Sequence, residues 1–96
     1  MILEVVDINI HAEQSATFAQ EVARGVREVI SHAKGFVSYQ LHQGIESPER
    51  YLLHIVWNTL EDHTVGFRQS EGFAQWRSIV GPYFAEPPKV AHFNLR

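Results

Sequence analysis

The segment that decides the fold is Tyr51-Leu-Leu-His-Ile-Val-Trp57, a run of largely apolar residues. Successive side chains of a β-strand point to opposite faces of a sheet. One face of this strand would carry Tyr51, Leu53, Ile55 and Trp57, and the other would carry Leu52, His54, Val56 and Asn58. Both faces are largely apolar, so both should be covered. Helices of the same chain can cover only one face, and we therefore expect the second to be buried in a homodimer.

The rest of the chain shows strand and helix periodicities in turn. The predicted elements are a strand over 2–10, a long amphipathic helix over 13–33, strands over 36–43 and 51–57, a helix over 60–68, a second short helix that ends at Gly81-Pro82, and a last strand over 90–95. This β-α-β-β-α-β order is that of the ferredoxin-like α+β fold, a four-stranded antiparallel sheet with the helices on one face. The whole chain, 1–96, is predicted to form one such domain.

Single residues predict how the helices begin, end and pack. Thr59 with Asp62 resembles a capping box for the first short helix, and Ser70 should cap the second. Gly35 should end the long helix in a left-handed conformation. Gly25 lies inside that helix, where glycine costs roughly 1 kcal/mol against alanine. It is either tolerated there or, as we expect, permits a close approach of the helix to the sheet.

Composition argues against several classes of protein. A chain of 96 residues with 45% hydrophobic residues has a modest core, which favours oligomerisation. It contains no cysteine and so no disulfide or thiolate chemistry. A net charge of -3, with Lys and Arg scattered singly, argues against a nucleic-acid partner. No apolar run approaches the roughly 20 residues of a membrane helix, and no secretion signal precedes the first strand, so a cytoplasmic location is expected.

Most of the aromatic side chains fall between Tyr51 and Phe84, which is more than a core of this size needs. Because the helices should cover one face of the sheet, we expect these rings to line a cavity between the sheet and the helices. Such a cavity would take a small, flat organic molecule.

Over essentially its whole length the chain resembles the antibiotic biosynthesis monooxygenase family of dimeric α+β barrels. The resemblance rests on Trp57 followed by His63, on Ser70-Glu-Gly-Phe73, and on Gly35-Phe36 before the second strand. It implies a dimeric α+β barrel with a pocket in each subunit. The family includes cofactor-free oxygenases of phenols or quinols, haem-degrading enzymes, and members without a known reaction.

The branches of this family differ in their functional residues. Where the haem-degrading branch has an Asn, a Trp and an axial His, this chain has Val6, Phe67 and Arg77. The resemblance therefore argues against haem degradation. The quinone-forming branch shares Trp57, but its Asn and Tyr correspond to Leu53 and His63 here, so that match is partial.

Each candidate site residue has a functional and a structural interpretation. His63 is the candidate proton acceptor, because imidazole titrates near neutral pH, but it could equally cap or pack. Arg68 is the candidate partner of a developing oxyanion, although an arginine near a helix end more often meets a carboxylate or solvent. The predicted substrate contacts are Trp57, Phe67, Trp76, Leu53 and His92. Large aromatic residues are usually core, and both interpretations can hold at a cavity wall.

No metal and no cofactor are predicted. The three histidines that could share a metal, His54, His63 and His92, lack ligand spacing in the sequence. The chain also has no Gly-rich phosphate loop, dinucleotide fingerprint or nucleophile elbow, which argues against intrinsic nucleotide or flavin binding.

Three functions remain open from the sequence. The leading hypothesis is a cofactor-independent monooxygenase that oxidises a small or polycyclic aromatic phenol or quinol with molecular oxygen. The alternative is a non-enzymatic, small-molecule-binding or stress-related dimer on the same scaffold. A third is an isomerase or lyase in which the same histidine moves a proton without oxygen.

Overall fold

The computed structural model describes residues 1–96 and has the predicted β-α-β-β-α-β order. Its elements are β1 (Ile2–Asn9), α1 (Ser15–Glu28), β2 (Phe36–Gln43), β3 (Arg50–Trp57), a π-helical turn (Asp62–Phe67), α2 (Glu71–Val80) and β4 (Lys89–Asn94). All paired strands are antiparallel in the order β2-β3-β1-β4, so β1 and β3 lie at the centre of the sheet. The prediction of a ferredoxin-like α+β fold is confirmed.

The hydrophobic core lies between one face of the sheet and the helices. On β3 the predicted inner face is confirmed, since Leu53, Ile55 and Trp57 are each at most 2% exposed. Phe18 and Val22 of α1, spaced by one helical turn, are fully buried in the same cluster. Burial of side chains of this size contributes roughly 1.5–3 kcal/mol each.

α1 is shorter than predicted at both ends. Glu13 has a φ of 68°, in the left-handed region that an α-helix cannot contain, so the helix begins at Ser15. After Glu28 the backbone tightens into a 3-10 turn over Ile30–His32, a common way for a helix to end. Gly35 follows with a φ of 87°, the left-handed conformation that the sequence predicts.

Gly25 permits a close approach, but to a helix rather than to the sheet. A Cβ atom on Gly25 would lie 2.7 Å from the ring of Trp76, which belongs to α2. Real Cβ atoms do not approach a ring that closely, so only glycine allows α1 and α2 to pack at this distance. The expected partner of Gly25 was therefore wrong, although the reason for the glycine was right.

The helical region after β3 begins as predicted. The N–H group of Asp62 donates to Thr59 Oγ1 at 3.1 Å, which caps the first turn. Ser70 occupies the N-cap position of α2, but its hydroxyl donates to the carbonyl of Phe67 at 2.6 Å and makes no capping bond. The predicted side-chain cap at Ser70 is thus wrong, because the preceding turn ends with a carbonyl that the hydroxyl reaches first.

The second face of the sheet, which we call the open face, has no covering element in the chain. Its apolar residues are Leu3, Val5, Leu52, Val56, Ala91 and Phe93. Phe93 of β4 is 53% exposed, which is unusual for a phenylalanine in a strand. None of the helices has the length and apolar character needed to cross a membrane.

Candidate active site

A cavity of about 430 Å³ opens between the inner face of the sheet and the two helical segments that follow β3. β1 contributes Glu4 to its wall, and the helical segments contribute His63, Arg68, Phe73, Trp76 and Arg77. A wider surface groove of about 600 Å³ lies beside Glu21 and Arg24, which pair with each other. That groove contains no buried titratable group, so the smaller cavity is the candidate active site.

Glu4 is the most unusual residue of the cavity. It lies in β1 on the inner face and is only 5% exposed. Its Oε1 accepts a hydrogen bond of 2.9 Å from the indole Nε1 of Trp57. Buried carboxyl groups are rare unless they are paired, and in this sheet the indole provides the partner.

His63 is positioned by the π-helical turn. The N–H group of Arg68 donates to the carbonyl of His63 at 3.0 Å, a contact five residues along that widens the turn. The His63 ring stacks on Trp57 with centroids 5.4 Å apart and planes at 24°. His63 Nε2 lies 3.2 Å from Glu4 Oε2, and its Nδ1 lies 2.9 Å from Nε2 of His92. Glu4, His63 and His92 thus form one chain of polar contacts.

Burial dominates the protonation states of this chain. It raises the pKa of Glu4 to about 7, against the opposing effects of the Trp57 hydrogen bond and the Arg68 charge. Burial, followed by the charges of Arg68 and His92, lowers the pKa of His63 to about 4. Burial and Arg68 also lower the pKa of His92. At neutral pH His63 is therefore an uncharged imidazole, and its 3.2 Å contact with Glu4 is not an ion pair.

Two arginines give the cavity a positive charge. Neither Arg68 nor Arg77 forms an ion pair with a carboxylate of the chain. The guanidinium of Arg77 lies 5.9 Å from the ring centroids of both Phe73 and Phe84, within cation-π distance. An anion that enters the cavity would meet these two groups without competition from a surface carboxylate.

The structure brings only part of the predicted site together in the cavity wall. His63, Arg68 and Trp76 line the cavity. His92 does not line it but is connected to it by its hydrogen bond with His63. Leu53, Trp57 and Phe67 lie in the core instead, at 1%, 0% and 5% exposure. These three side chains are inner-face or core residues and pack behind the residues that line the cavity. Trp57 is connected to the cavity through its hydrogen bond to Glu4.

Several cavity residues were not predicted from the sequence. Glu4 is the most important of them, although the strand periodicity of β1 places it on the same face as Val6 and Ile8. Arg77 lies one helical turn after Phe73, so the spacing of α2 was the available signal for it. A charged residue on an apolar strand face is the pattern that would have found Glu4.

Comparison with known proteins agrees with the fold. The family model described as antibiotic biosynthesis monooxygenase matches residues 1–78. An uncharacterized Bacillus subtilis (strain 168) protein, YczJ, is 35% identical over 75 residues, which are 78% of this chain and 79% of that protein.

Solved structures show the same likeness. A Bordetella bronchiseptica protein, named as a candidate antibiotic biosynthesis monooxygenase, superposes with a TM-score of 0.93 at 39% identity and covers 99% of this chain and 96% of its own. SnoaB, a cofactor-independent oxygenase from Streptomyces nogalater, has a TM-score of 0.82 at 18% identity over 99% of this chain and 92% of its own, and shares the fold. With a family match over most of its length, a relative above one-third identity and this fold, the chain belongs to the antibiotic biosynthesis monooxygenase family.

Proposed function

We propose that this protein is a cofactor-independent monooxygenase that oxidises a small or polycyclic aromatic phenol or quinol with molecular oxygen. The observation that supports this most is the buried Glu4 and His63 pair, which borders an aromatic cavity next to Arg68. A carboxyl group with a pKa near neutrality is well matched to removing and returning a proton.

The reaction needs no electrons from outside the substrate. Loss of one proton turns a phenol-activated ring CH₂ group into a carbanion, whose electrons pass to oxygen to give a carbon-bound peroxide. Loss of the second C–H proton then breaks the O–O bond and leaves a carbonyl, so that the CH₂ group and O₂ become C=O and water. The residues of the cavity have to hold the ring, take and return a proton, and stabilise the anion.

The cavity fits these tasks by size and chemistry. A volume of about 430 Å³ lies within the ordinary range for small-molecule pockets, roughly 300–1,000 Å³. The rings of Phe73, Trp76 and Phe84 offer surfaces for a flat substrate. Arg68, whose charge already acts on Glu4 and His63, would stabilise the phenolate or carbanion as it forms.

We also propose that the protein works as a cytoplasmic homodimer. The apolar open face supports the dimer, because a second copy would bury Leu52, Val56 and Phe93 against the same residues of its partner. The absence of cysteine is in keeping with a reducing compartment. In addition to the second subunit, each subunit would bind a small aromatic substrate.

One observation favours the alternative of a non-enzymatic binding protein. No buried side-chain nitrogen or oxygen atom lacks a hydrogen-bond partner, and Glu4 already accepts a hydrogen bond from Trp57, so the buried polar atoms need no ligand. A purely structural polar network would have the same property.

Oxygen uptake separates the two functions. The purified protein, freed of flavin and metal, is assayed with naphthols, anthrones and hydroquinones beside a His63→Ala variant and a matched His32→Ala control, since His32 is exposed and does not line the cavity. We expect uptake by the wild type and by the control, and reduced uptake in His63→Ala, because this variant removes both a wall of the cavity and the contact to Glu4 Oε2. Ligand-dependent thermal stabilisation without uptake above autoxidation would instead establish the binding protein.

A further inference from the structure

Both ring nitrogens of His63 are engaged within the protein. Nε2 contacts Glu4 at 3.2 Å and Nδ1 contacts His92 at 2.9 Å, and the ring face packs on Trp57. A neutral imidazole has one acceptor nitrogen, which this arrangement already uses in either tautomer. His63 therefore has no free lone pair for a substrate proton.

Glu4 does have that capacity. Its Oε1 accepts from Trp57 and its Oε2 meets His63, but a carboxylate offers about four acceptor positions and these contacts use two. Glu4 also lines the cavity directly. Of the two members of the pair, the carboxylate is the one that can contact both a substrate and the two histidines of the chain.

His92 lies at the other end of this chain and is closer to solvent. It belongs to β4, which forms one edge of the sheet, and it is only half-buried. Its Nε2 contacts His63, and its Nδ1 makes no hydrogen bond within the protein. The three side chains thus lead from the cavity to the edge of the sheet.

We propose that Glu4 is the catalytic proton acceptor of the cavity, and that His63 and His92 form a proton path that exchanges the Glu4 proton with solvent. The first part rests on the proposed function, whereas the path does not. In the proposed path, with Glu4 ionised, His63 Nε2–H faces Glu4 Oε2 across the 3.2 Å contact and His92 Nε2–H donates to His63 Nδ1.

Uptake of a proton at His92 Nδ1 moves one proton along each hydrogen bond. His92 Nε2 gives its proton to His63 Nδ1, and His63 Nε2 gives its proton to Glu4. The result is a neutral Glu4 that donates to His63 Nε2, with both histidines now protonated at Nδ1. One proton has entered, one carboxylate has become neutral, and both histidines remain uncharged.

The charged groups around this chain favour such a path over a conventional ion pair. Arg68, after the π-helical turn, lowers the pKa of both histidines and of Glu4, and Arg77 of α2 adds a second positive charge to the cavity wall. No other acidic residue lines the cavity. An imidazolium is therefore disfavoured at His63, while a carboxylate or a neutral carboxyl is permitted at Glu4.

The first test needs no substrate. Protein labelled with ¹³C at glutamate and ¹⁵N at histidine is titrated by NMR from about pH 9 to about pH 5, across the region where Glu4 should titrate. We expect the Glu4 carboxyl to titrate with the same midpoint at which His63 and His92 change from Nε2–H to Nδ1–H tautomers. A His63 imidazolium beside a Glu4 that stays ionised would overturn the path, and so would Glu4 titration with unchanged histidine tautomers. In His92→Phe the tautomer change of His63 should disappear.

The second test uses oxygen uptake to decide which group takes the proton. Glutamine at either position keeps hydrogen-bonding groups but cannot accept a proton. If Glu4 is the acceptor, Glu4→Gln should lose about 100-fold in kcat and His63→Gln less than about tenfold. The opposite order would overturn the assignment of Glu4. If the wild type takes up no oxygen with any substrate, the proposed function and the catalytic part fail together, while the titration still decides the path.

Discussion

The indole Nε1–H of Trp57 donates a 2.9 Å hydrogen bond to the carboxyl group of Glu4 inside the sheet core. The two residues lie on β1 and β3, the neighbouring central strands of the sheet. Their side chains point to the same face and are diagonal neighbours, displaced by two residues along the strands. Both are almost completely shielded from solvent. Trp57, one of the two tryptophans of the core, therefore holds the only buried carboxyl group in the chain at the edge of the cavity.

Replacing Trp57 by phenylalanine should leave Glu4 with one fewer donor in a buried position. We expect a loss of about 1–3 kcal/mol in the free energy of unfolding and a further rise in the pKa of Glu4. Urea denaturation and the carboxyl titration measure the two effects. Trp76→Phe is the matched control, because Trp76 is also buried but its indole donates no hydrogen bond within the chain. Equal losses in both variants would contradict the role of the hydrogen bond.

The pH dependence of stability should reveal Glu4 and His63 as opposing groups. Folding raises the pKa of Glu4 from its ordinary value of 4.5 to about 7, so the folded state binds more protons in this range and the Glu4 contribution is lost as pH rises through 7. Folding lowers the pKa of His63 from 6.5 to about 4, so its contribution is lost as pH falls through that range. Between about pH 4.5 and 6.5 the two effects should largely cancel.

Variants separate these two contributions. The stability of the wild type relative to Glu4→Gln should fall by about 3 kcal/mol as pH rises from below 4.5 to above 7. The stability relative to His63→Gln should change in the opposite direction between pH 4 and 6.5. Chemical denaturation at a series of pH values provides both curves. A difference for Glu4→Gln that is independent of pH would show that Glu4 titrates normally in the folded protein.

The packing of α1 on α2 should depend on the missing side chain at Gly25. Alanine would gain roughly 1 kcal/mol of helix propensity, but its methyl group would meet the ring of Trp76 at 2.7 Å. We expect Gly25→Ala to destabilise the protein by about 1–3 kcal/mol, measured by urea denaturation. Gly66→Ala is the control, because the nearest atom to a Cβ at Gly66 is 3.8 Å away. A stabilised Gly25→Ala protein would show that Trp76 can move aside.

The open face should be the dimer interface. Val56→Asp places a charge in the middle of that face, where a buried carboxylate without a partner is strongly unfavourable. We expect the variant to sediment as a monomer where the wild type sediments as a dimer. Val65→Asp is the control, since Val65 is 51% exposed and lies on the π-helical turn. A Val56→Asp protein that remains a monodisperse dimer would place the interface elsewhere.

Much of the fold could be predicted because local signals and burial agree along this chain. The two faces of β3, the cap at Thr59 and the left-handed Gly35 follow from alternation, capping chemistry and backbone sterics. The exact ends of α1 could not be predicted from its apolar pattern, because the left-handed backbone at Glu13 depends on how the loop leaves β1. The partner of Gly25 likewise depends on where α2 lies over α1.

The residues of the candidate site could likewise be predicted only in part from the sequence. His63, Arg68 and Trp76 stand out from sequence because their residue types suit proton transfer, anion binding and ring contact, and all three line the cavity. Trp57 stands out for the same reason, yet it is fully buried and reaches the cavity only through its hydrogen bond. A side chain's type is a local property, whereas the surface that it faces is set by every element packed around it.

By itself the sequence determined the order of the strands and helices, the inner and open faces of the sheet, and the types of group available for chemistry. These follow from side-chain period, backbone preference and the cost of exposing apolar surface. Only the tertiary structure decided that Glu4, His63 and His92 meet, because they come from β1, the π-helical turn and β4. Their altered pKa values arise from burial and from the charge of Arg68, and both exist only once those elements have packed together.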